Sequence, residues 1–533
     1  MKANPGAVGL RLPILAIAFA CALGGGRGAR AQGVSFLRYP ATPRGAQSDD
    51  LNGIRVADPY RWLEAVTSYD VRDWAAAQNA LTDSSLRAVP QRDEIANKLR
   101  QATAYSDVKA PRAGGDRLFF FERSPEQNLP TIRSQEHRDA PDKLVIDPNV
   151  FSHDGVLAIV DQSPSPDGRY VAYAVALQGS SWHTVRVRDT RTNQDVNDDL
   201  QGLRRSPLAW TADARGFFYV RTDPGRVTLG ANPIAPIGRE QLYYHRVGRS
   251  QSSDQLVFEA ADHPEWLLDA TVSDDGHYLV IAAQPWMEAR NRLYLIDLDN
   301  PKRPNLGAPL VKLFDAGDAR YEFVGNAGQL FFIRTNKNAT RSRVVAVDIN
   351  SPDESHWTTI VRETYDPVVG ARRVDDRIVV HRLHDAHSVL ELYALDGGAR
   401  GSVPLPGIGT VTEISPHSAD RSLYFTYTSF LQPPTVYRYD LDTRAVSPFK
   451  EWPSDSLSVY ETTRLLYTST DGTRIPMFIT ARRGITLNGR HPTLLTGIGA
   501  FGESATPWYS PMFAAWLELG GIVAVPNVRG GGE

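Results

Sequence analysis

Residues 275–281 (DGHYLVI) join a turn signal to a run of apolar residues. An Asp-Gly pair favours a tight turn, because glycine adopts positive φ angles without steric cost. The run that follows contains aromatic and β-branched residues, which are enriched in strands. The stretch therefore predicts a turn followed by a buried strand, and the same combination recurs along the middle of the chain.

Seven such cues occur between residues 110 and 450. They begin at Asp116, Asp167, Asp213, Asp275, Gly328, Asp376 and Asp420. Successive cues lie 44 to 62 residues apart, with an average of about 51. A repeat of about 50 residues in a region without sustained helical periodicity indicates a β-propeller with one four-stranded blade per repeat. We therefore predict a seven-bladed, all-β propeller; an irregular array of sheets that does not close is the alternative.

The pattern changes after residue 455. Two predicted strands, 464–468 and 475–481, flank an Asp-Gly turn and form a hairpin. A short buried strand at 492–496, a helix at 511–519 and a buried strand at 522–525 follow. This order is how the sheet of an α/β-hydrolase begins. In that fold the nucleophilic serine follows the fifth strand, whereas this sequence reaches Glu533 after the fourth.

The predicted helix at 511–519 has an amphipathic pattern. Its apolar face is predicted to contain Met512, Phe513, Trp516 and Leu517, and Gly520 is predicted to end it. An earlier helix is predicted over residues 71–81. That helix places Val71, Trp74, Ala75 and Gln78 on one side.

The composition excludes several functional classes. A length of 533 residues suggests two to four domains. The net charge of -3 gives no bulk electrostatic attraction to nucleic acid or to an anionic membrane. The single cysteine, Cys21, excludes a disulfide within the chain and a multi-cysteine zinc site. We expect no cofactor and no metal.

Residues 1–31 have the features of a secretory signal peptide. Lys2 and Arg11 precede an apolar run at 12–23, which is too short to span a bilayer because a spanning helix needs about 20 residues. Residues 29–31 (ARA) match an A-x-A cleavage site. We therefore predict a periplasmic or secreted protein without membrane attachment after cleavage. An uncut membrane anchor, or a lipid-modified start at Cys21, is the alternative.

Several motifs resemble those of the prolyl oligopeptidase family of serine peptidases, in the same order. They are residues 58–64 (DPYRWLE) with Trp74 and residues 78–79 (QN), then 433–437 (PPTVY), 471–477 (DGTRIPM) and 527–533 (NVRGGGE). In the family these mark the N-terminal signature, the exit of the seven-bladed propeller, the start of the hydrolase domain and the approach to the catalytic serine. The resemblance extends over residues 36–533.

The resemblance implies cleavage of short proline-containing peptides after proline, with the propeller filtering substrates. It also implies a hydrolase domain split between residues 32–90 and 456–533, with a propeller of residues 91–455 inserted between them. A complete member is expected to be a monomer. The alternatives are an oligopeptidase of another specificity, such as cleavage after basic residues, and a non-enzymatic propeller that binds peptides or partners.

No catalytic residue of the family can be placed on this sequence. A G-x-S-x-G motif does not occur, and the nearest stretch, residues 502–506 (GESAT), lacks the second glycine and precedes the predicted helix. The one histidine after residue 455, His491, is predicted to be a solvated turn residue, and Asp471 a turn former. The resemblance implies that the serine, aspartate and histidine of the triad lie beyond Glu533. We therefore expect the chain to be a C-terminally truncated, inactive form.

One functional position of the family does fall within the sequence. The family's loop after the third hydrolase strand is Y-G-Y-G-G-F, and its second tyrosine donates a hydrogen bond to the oxyanion. The corresponding residues 496–501 are TGIGAF, so Ile498 replaces that tyrosine. Loss of one oxyanion donor typically costs about 2.7–4 kcal/mol in the transition state. We predict slow hydrolysis even in a longer chain unless another donor, such as a backbone N–H, takes its place.

Other candidate sites are weaker. His263 and His277 are too isolated in the sequence to be assigned as metal ligands, and we predict surface or turn positions for both. Residues 338–340 (NAT) match the acceptor pattern for N-glycosylation, which is common by chance.

Overall fold

The computed structural model describes residues 37–137, 140–152, 156–177, 180–223, 238–286, 288–417, 421–450 and 457–530. The chain falls into two compact units, residues 1–93 and 94–533. The predicted signal peptide, Cys21, Asp420 and Glu533 lie outside the described residues. The predicted boundaries between residues 32–90, 91–455 and 456–533 stay a prediction. No described helix is both long and apolar enough to cross a bilayer.

The first unit contains a hairpin and a long helix. Strands β1 (Ser48–Leu51) and β2 (Ile54–Ala57) pair antiparallel, and helix α1 (Tyr69–Arg87) follows. The helix predicted over 71–81 is therefore confirmed and extends beyond the predicted range at both ends. Val71 is its one buried residue, and the predicted partners on the same side are half-buried.

The DPYRWLE motif ties this unit together. Arg61 forms ion pairs with Asp49 on β1 and with Asp58 directly after β2. The rings of Trp62 and Trp74 meet edge to face with centroids 6.3 Å apart. The motif therefore joins the hairpin to the start of α1.

The second unit begins near the start of helix α2 (Arg92–Thr103) and continues into seven antiparallel sheets, blades 1 to 7. Blade 1 contains β3 (Asp107–Val108), β4 (Arg112–Gly114), β5 (Arg117–Arg123), β6 (Thr131–Gln135) and β7 (Lys143–Ile146). Blade 2 contains β8 (Leu157–Pro164), β9 (Tyr170–Leu177), β10 (His183–Asp189) and β11 (Gln194–Leu203). Blade 3 contains β12 (Ala209–Trp210), β13 (Gly216–Asp223), β14 (Arg239–Arg246) and β15 (Gln255–Phe258).

The remaining blades have four strands each. Blade 4 contains β16 (Leu267–Val272), β17 (Tyr278–Gln284), β18 (Arg292–Asp297) and β21 (Leu310–Phe314), with the small hairpin β19 (Asp299–Asn300) and β20 (Arg303–Pro304) inserted. Blade 5 contains β22 (Tyr321–Ala327), β23 (Leu330–Thr335), β24 (Arg343–Asp348) and β25 (Thr358–Val361). Blade 6 contains β26 (Val368–Val374), β27 (Arg377–His384), β28 (His387–Ala394) and β29 (Ala399–Val403). Blade 7 contains β30 (Thr410–His417), β31 (Ser422–Thr428), β32 (Thr435–Asp440) and β33 (Val446–Pro448).

The sequence cues mark the same place in every blade. The apolar run after each cue forms an inner strand of its sheet, paired on both sides, namely β5, β9, β13, β17, β23, β27 and β31. In three blades the turn is held by a hydroxyl that donates to the cue aspartate at 2.6–2.7 Å. The prediction of seven blades is confirmed.

The ring of blades is closed by packing between blades 7 and 1. Ser415 Oγ donates to the Pro111 carbonyl at 2.5 Å, and the Ala110 N–H donates to Glu413 Oε2 at 3.3 Å. Phe120 of blade 1 and Tyr424 of blade 7 belong to one buried apolar cluster. The alternative of an array of sheets that does not close is therefore wrong.

A four-stranded sheet follows blade 7, and we call it the C-terminal sheet. It contains β34 (Tyr460–Thr468), β35 (Arg474–Arg482), β36 (Thr493–Leu495) and β37 (Ile522–Pro526), with helix α3 (Pro511–Glu518) between β36 and β37. The order across the sheet is β34-β35-β37-β36, and only the pair β36 and β37 is parallel. The predicted hairpin, helix and buried last strand are confirmed.

Two predictions for this region are wrong in detail. The strand predicted as buried at 492–496 is β36, whose Leu495 is 66% exposed, because β36 lies at the edge of the sheet. Met512 is 57% exposed although it was predicted on the apolar face of α3. The buried residues of α3 are Phe513, Ala514, Ala515 and Leu517, so the apolar face is rotated relative to the prediction.

Candidate active site

Two loops meet at the carboxyl ends of the parallel strands β36 and β37. This is the edge at which sheets with parallel strands form ligand sites. The first loop follows Leu495, and the second follows Pro526. The Gly502 N–H donates to the Gly530 carbonyl at 3.3 Å, and the Ala505 N–H donates to Asn527 Oδ1 at 2.7 Å. The two loops therefore form one surface, which is the candidate active site.

Glycine is required where the two loop backbones touch. A Cβ atom at Gly499 would lie 2.4 Å from the Arg529 carbonyl oxygen and 2.6 Å from a Val528 side-chain atom. A Cβ atom at Gly530 would lie 2.4 Å from the Gly499 carbonyl oxygen, and Gly530 also has a φ of +92°. The glycines of the two motifs thus allow a backbone-to-backbone contact that no other residue type permits.

The second loop is anchored to the β34–β35 turn. The Arg529 guanidinium forms an ion pair with Asp471 and donates to Ser469 Oγ at 3.2 Å. Asp471 also accepts from the Thr473 N–H at 3.1 Å, as expected of a turn former. The Thr473 N–H, helped by Arg529, lowers the pKa of Asp471 to about 2. The charge on Asp471 therefore persists through the physiological pH range.

Ser504 and His491 do not form a nucleophile–base pair at this site. Within the described residues, neither the Ser504 hydroxyl nor the His491 ring makes a hydrogen bond, and both residues are half-buried. Ile498 lies in the first loop and is 46% exposed. Phe501 in the same loop is 83% exposed and has a φ of +62°. The assignment of Ile498 to the oxyanion position stays a prediction.

A cavity of about 1000 Å³ runs through the ring of blades. Its wall is formed by six blades and by the segment directly before blade 3, represented in chain order by Arg112, Asp161, Leu208, Asp269, Glu322, Arg372 and Glu413. Charges of both signs thus line the cavity. Arg112 Nη1 and Asp161 Oδ1 pair at 2.9 Å across the boundary between blades 1 and 2.

Two carboxyl groups of blade 4, those of Asp269 and Asp274, line this cavity. Burial raises the pKa of Asp269 and of Asp274, and the positive charge of Arg372 opposes the rise in both cases. Both side chains are exposed to the cavity, and desolvation by the surrounding protein atoms is the largest cause of the raised pKa in each case. The cavity therefore has a polar interior that suits peptide groups better than apolar molecules.

A second cavity of about 1410 Å³ lies between blade 7 and the C-terminal sheet. Its wall includes Tyr427 and Tyr437 from blade 7, Tyr460 of β34, and Arg483 directly after β35. The chain thus encloses space both within the propeller and beside the sheet.

The weaker sequence candidates have structural surroundings of their own. The His263 ring stacks on Trp266 with centroids 4.3 Å apart, and His277 lies in the turn before β17. Asn338 is exposed, and its Nδ2 donates to Glu354 Oε1 at 2.7 Å. The part of the chain that the structure describes holds no group of three or more His, Cys, Asp or Glu side chains suited to a metal ion.

Sequence reasoning missed the charged wall of the propeller cavity. Its residues lie on or next to the first strand of each blade, such as Glu322 on β22 and Arg372 on β26. Alternation of polar and apolar residues on those strands was the available signal. It could not identify the cavity, because either face of such a strand can be the one that meets the central space.

Comparison with known proteins gives a consistent result. Residues 40–452 match the family model described as prolyl oligopeptidase, N-terminal beta-propeller domain. A prolyl endopeptidase from Elizabethkingia miricola is 29% identical over 511 residues, which cover 94% of this chain and 70% of that protein. Prolyl oligopeptidase A from Amanita bisporigera is 31% identical over 538 residues, covering 93% and 69%.

Solved structures agree with the sequence comparison. A prolyl endopeptidase structure from a study of inter-domain dynamics in catalysis and specificity superposes with a TM-score of 0.83 at 28% identity. It is matched over 93% of this chain and 72% of its own. Prolyl oligopeptidase B from Galerina marginata, bound to a 25mer macrocyclization substrate, superposes with a TM-score of 0.82 at 27% identity, again over 93% and 72%.

Proposed function

Because this chain belongs to the prolyl oligopeptidase family, we propose that it forms the propeller and the first part of the catalytic domain of a serine peptidase that cleaves short peptides after proline. Its relatives are prolyl endopeptidases, so a peptidase of this type is the function class. Specificity for proline and the filtering of substrates by the propeller are the finer parts of the proposal.

The observation that carries the proposal is the joined architecture of propeller and sheet. Seven blades enclose a polar cavity, and the chain then continues into a sheet of order β34-β35-β37-β36. Antiparallel hairpin first, then parallel strands joined through a helix, is how we expect an α/β-hydrolase sheet to begin. The contact between the two glycine-bearing loops at the ends of β36 and β37 supports this assignment.

In this proposal the first loop binds the carbonyl oxygen of the substrate. Ile498 occupies the place of a tyrosine hydroxyl donor and cannot replace it chemically. Backbone N–H groups of residues 497–501 are the donors left to polarise the carbonyl, because the Gly502 N–H is already engaged by the second loop. The propeller cavity admits the substrate in an extended form and excludes folded proteins.

We also propose that the protein is exported. The support is the charged start, apolar run and ARA site of residues 1–31. We propose further that the protein is a monomer and that its binding partners are proline-containing peptides.

A direct test starts from the source DNA. We would sequence it beyond the codon for Glu533, express the whole open reading frame and the 533-residue chain, and assay both with fluorogenic Gly-Pro and Gly-Arg reporters. The proposal expects Gly-Pro hydrolysis by the longer product, abolished by a serine-directed inhibitor, and no turnover by the 533-residue chain. Preference for Gly-Arg contradicts the proline specificity. A stop codon directly after Glu533 contradicts the proposal that the protein is an enzyme. The alternative is then a propeller that binds peptides without cleaving them, which the lack of a side-chain donor at Ile498 also favours.

The role of Ile498 can be tested in the longer product. The substitution Ile498→Tyr is expected to raise kcat up to about a hundredfold, because it restores a donor of the kind whose loss costs about 10²–10³ in kcat. Leu487→Tyr is the matched control, since Leu487 is 62% exposed and lies outside both loops. An unchanged kcat in I498Y would show that the loop does not contact the oxyanion.

A further inference from the structure

The turn between β27 and β28 extends from blade 6 to the C-terminal sheet. We call residues 384–387 the blade 6 hairpin. Its two central residues, Asp385 and Ala386, have φ angles of 44° and 63°. Asp385 Oδ2 pairs with Arg464 Nη1 of β34 at 2.7 Å. Ala386 is 6% exposed and belongs to the apolar cluster that contains Phe478 of the sheet.

The alanine in this turn indicates that the contact matters. A two-residue hairpin with positive φ at both positions favours glycine, and a Cβ atom is strained in that conformation. Glycine would relieve the strain but would lack the methyl group that Ala386 buries in the cluster. The hairpin is therefore shaped by its docking on the sheet rather than by the turn alone.

Two histidines flank the docked residues. His384 Nδ1 lies 2.9 Å from Asp366 Oδ2, and the His384 and His387 rings are 5.5 Å apart. Nδ1 of His387 is buried and has no hydrogen-bond partner among the described residues. The charged groups that face His387 are His384 and Asp385 from the hairpin, Arg464 from β34 and, through His384, Asp366.

We propose that the blade 6 hairpin is a pH-sensitive latch, which is docked on strand β34 at neutral pH and is released from it in acid when His387 gains a proton. This device does not depend on peptidase activity. It is a conformational property of the junction between blade 6 and β34.

The surroundings of His387 oppose a positive charge. A neutral imidazole can leave the buried Nδ1 without a proton, whereas the imidazolium makes both ring nitrogens donors and places a positive charge in this partly buried site. The two nearby carboxylates are already engaged, Asp385 with Arg464 and Asp366 with His384. Burial lowers the pKa of His387, and the positive charges of His384 and Arg464 lower it further, against a smaller opposing effect of the Asp385 backbone and carboxylate.

The sign of the effect follows from linkage. In the released form the His387 ring lies in water and takes up a proton near its ordinary pKa of about 6.5. In the latched form the pKa is lower, so the released form binds the proton more readily. The latch is therefore favoured above the ordinary pKa, and its advantage is lost as the pH falls through the ordinary and then the lowered pKa. Each pKa unit between the two forms changes the latch equilibrium about tenfold.

Hydrogen exchange measured by mass spectrometry tests the latch in the 533-residue chain. Peptides that cover residues 384–390 and 460–466 would be followed at pH 5.5 and 7.5, with rates corrected for intrinsic exchange. We expect several-fold lower protection of both segments at pH 5.5. Strand β17 of blade 4 serves as the internal control for an intact propeller and should keep its protection at both values.

Three variants separate the latch from a general acid effect. In His387→Gln the difference between the two pH values should disappear, and in the control His356→Gln, an exposed histidine elsewhere, it should remain. Asp385→Asn should lower protection of both segments at both pH values. Equal protection of the wild-type segments at pH 5.5 and 7.5, with β17 intact, overturns the proposal without any variant. Retention of the pH difference in H387Q overturns the role of His387.

Discussion

Two histidines at joints of the molecule have opposite electrostatic surroundings. At the seam between blades 2 and 3, His245 has Nδ1 2.9 Å from Asp254 Oδ1 and Nε2 3.2 Å from Asp198 Oδ1. At the blade 6 hairpin, His387 faces Arg464 and His384, and the one carboxylate nearby, Asp385, is paired with Arg464. The pKa of His245 is raised to about 9 by its two carboxylates despite its burial, whereas the pKa of His387 is lowered, chiefly by burial.

This difference indicates that the seam between blades 2 and 3 is rigid and that the contact between the blade 6 hairpin and β34 can open. His245 is fully buried as a cation between two carboxylates, and these also accept hydrogen bonds from the Tyr219 hydroxyl and the Gly248 N–H at 2.8 Å. Breaking that seam leaves several buried polar groups without partners. The blade 6 hairpin is joined to β34 by one partly exposed ion pair, between Asp385 and Arg464, and burial opposes a charge on His387. The ring of blades should therefore stay closed under conditions in which the blade 6 hairpin leaves β34.

The largest expected effect comes from breaking the seam with Asp254→Ala. It leaves the His245 cation and the Tyr219 hydroxyl buried without their acceptor, and removal of one partner from a buried ion pair typically costs about 3–5 kcal/mol. The loss of unfolding free energy would be measured by urea denaturation at pH 7. Asp262→Ala is the matched control, because Asp262 also pairs with a base, Arg292 at 2.6 Å, but is 61% exposed. Equal losses in the two variants would contradict the importance of the seam.

The second expected effect is the pH dependence of the seam. Because the folded pKa of His245 is raised to about 9, its contribution to stability is complete below the unfolded pKa of about 6.5 and is lost as pH rises through about 9. That contribution amounts to up to about 3 kcal/mol. Thermal unfolding of the wild type and of His245→Gln would be followed from pH 6 to 10. The difference between them should shrink with rising pH, and a constant difference would show that His245 is neutral when folded.

The blades could be predicted from the sequence because their inner strands are apolar on both sides. A run such as Phe217 to Val220 is buried whichever neighbour pairs with it. The edge strand β36 has no such protection, and nothing local to Leu495 indicates that its outer side is uncovered. For the same reason the pattern could not decide the face of α3, where Met512 is exposed.

The candidate site was only partly predictable. The glycine motifs located both loops, but their contact between Gly499 and Gly530 depends on the pairing of β36 with β37. The seam was not predicted, because Asp198 and His245 lie on strands of different blades whose approach only the closed ring decides. The periodicity of a sequence predicts which residues of a single strand are buried. It does not predict which polar side chains of two different sheets come into contact.

A smaller effect is expected from Tyr219→Phe at the seam. Tyr219 is fully buried, and its hydroxyl donates to Asp254 Oδ2 at 2.8 Å. Hydrogen bonds to charged groups contribute about 1.5–3 kcal/mol, so the loss should lie near the lower end, since His245 remains beside Asp254. Tyr278→Phe is the control, because within the described residues the Tyr278 hydroxyl makes no hydrogen bond although its ring is buried. Urea denaturation of both variants gives the comparison, and a neutral Y219F would mean that the hydroxyl is dispensable to the seam.

The smallest effect on stability is expected from Arg464→Met at the blade 6 hairpin. The side chains of Arg464 and Asp385 are 30% and 21% exposed, and methionine preserves most of the aliphatic stem. Ion pairs in contact with water contribute about 0.2–1 kcal/mol, so the urea midpoint at pH 7.5 should change little. Local protection of residues 384–390 should nevertheless fall, because the hairpin loses its one ion pair to β34. A loss of unfolding free energy as large as that in D254A would mean that the hairpin is held as firmly as the seam. The two histidines would then differ in charge but not in the mobility of their surroundings.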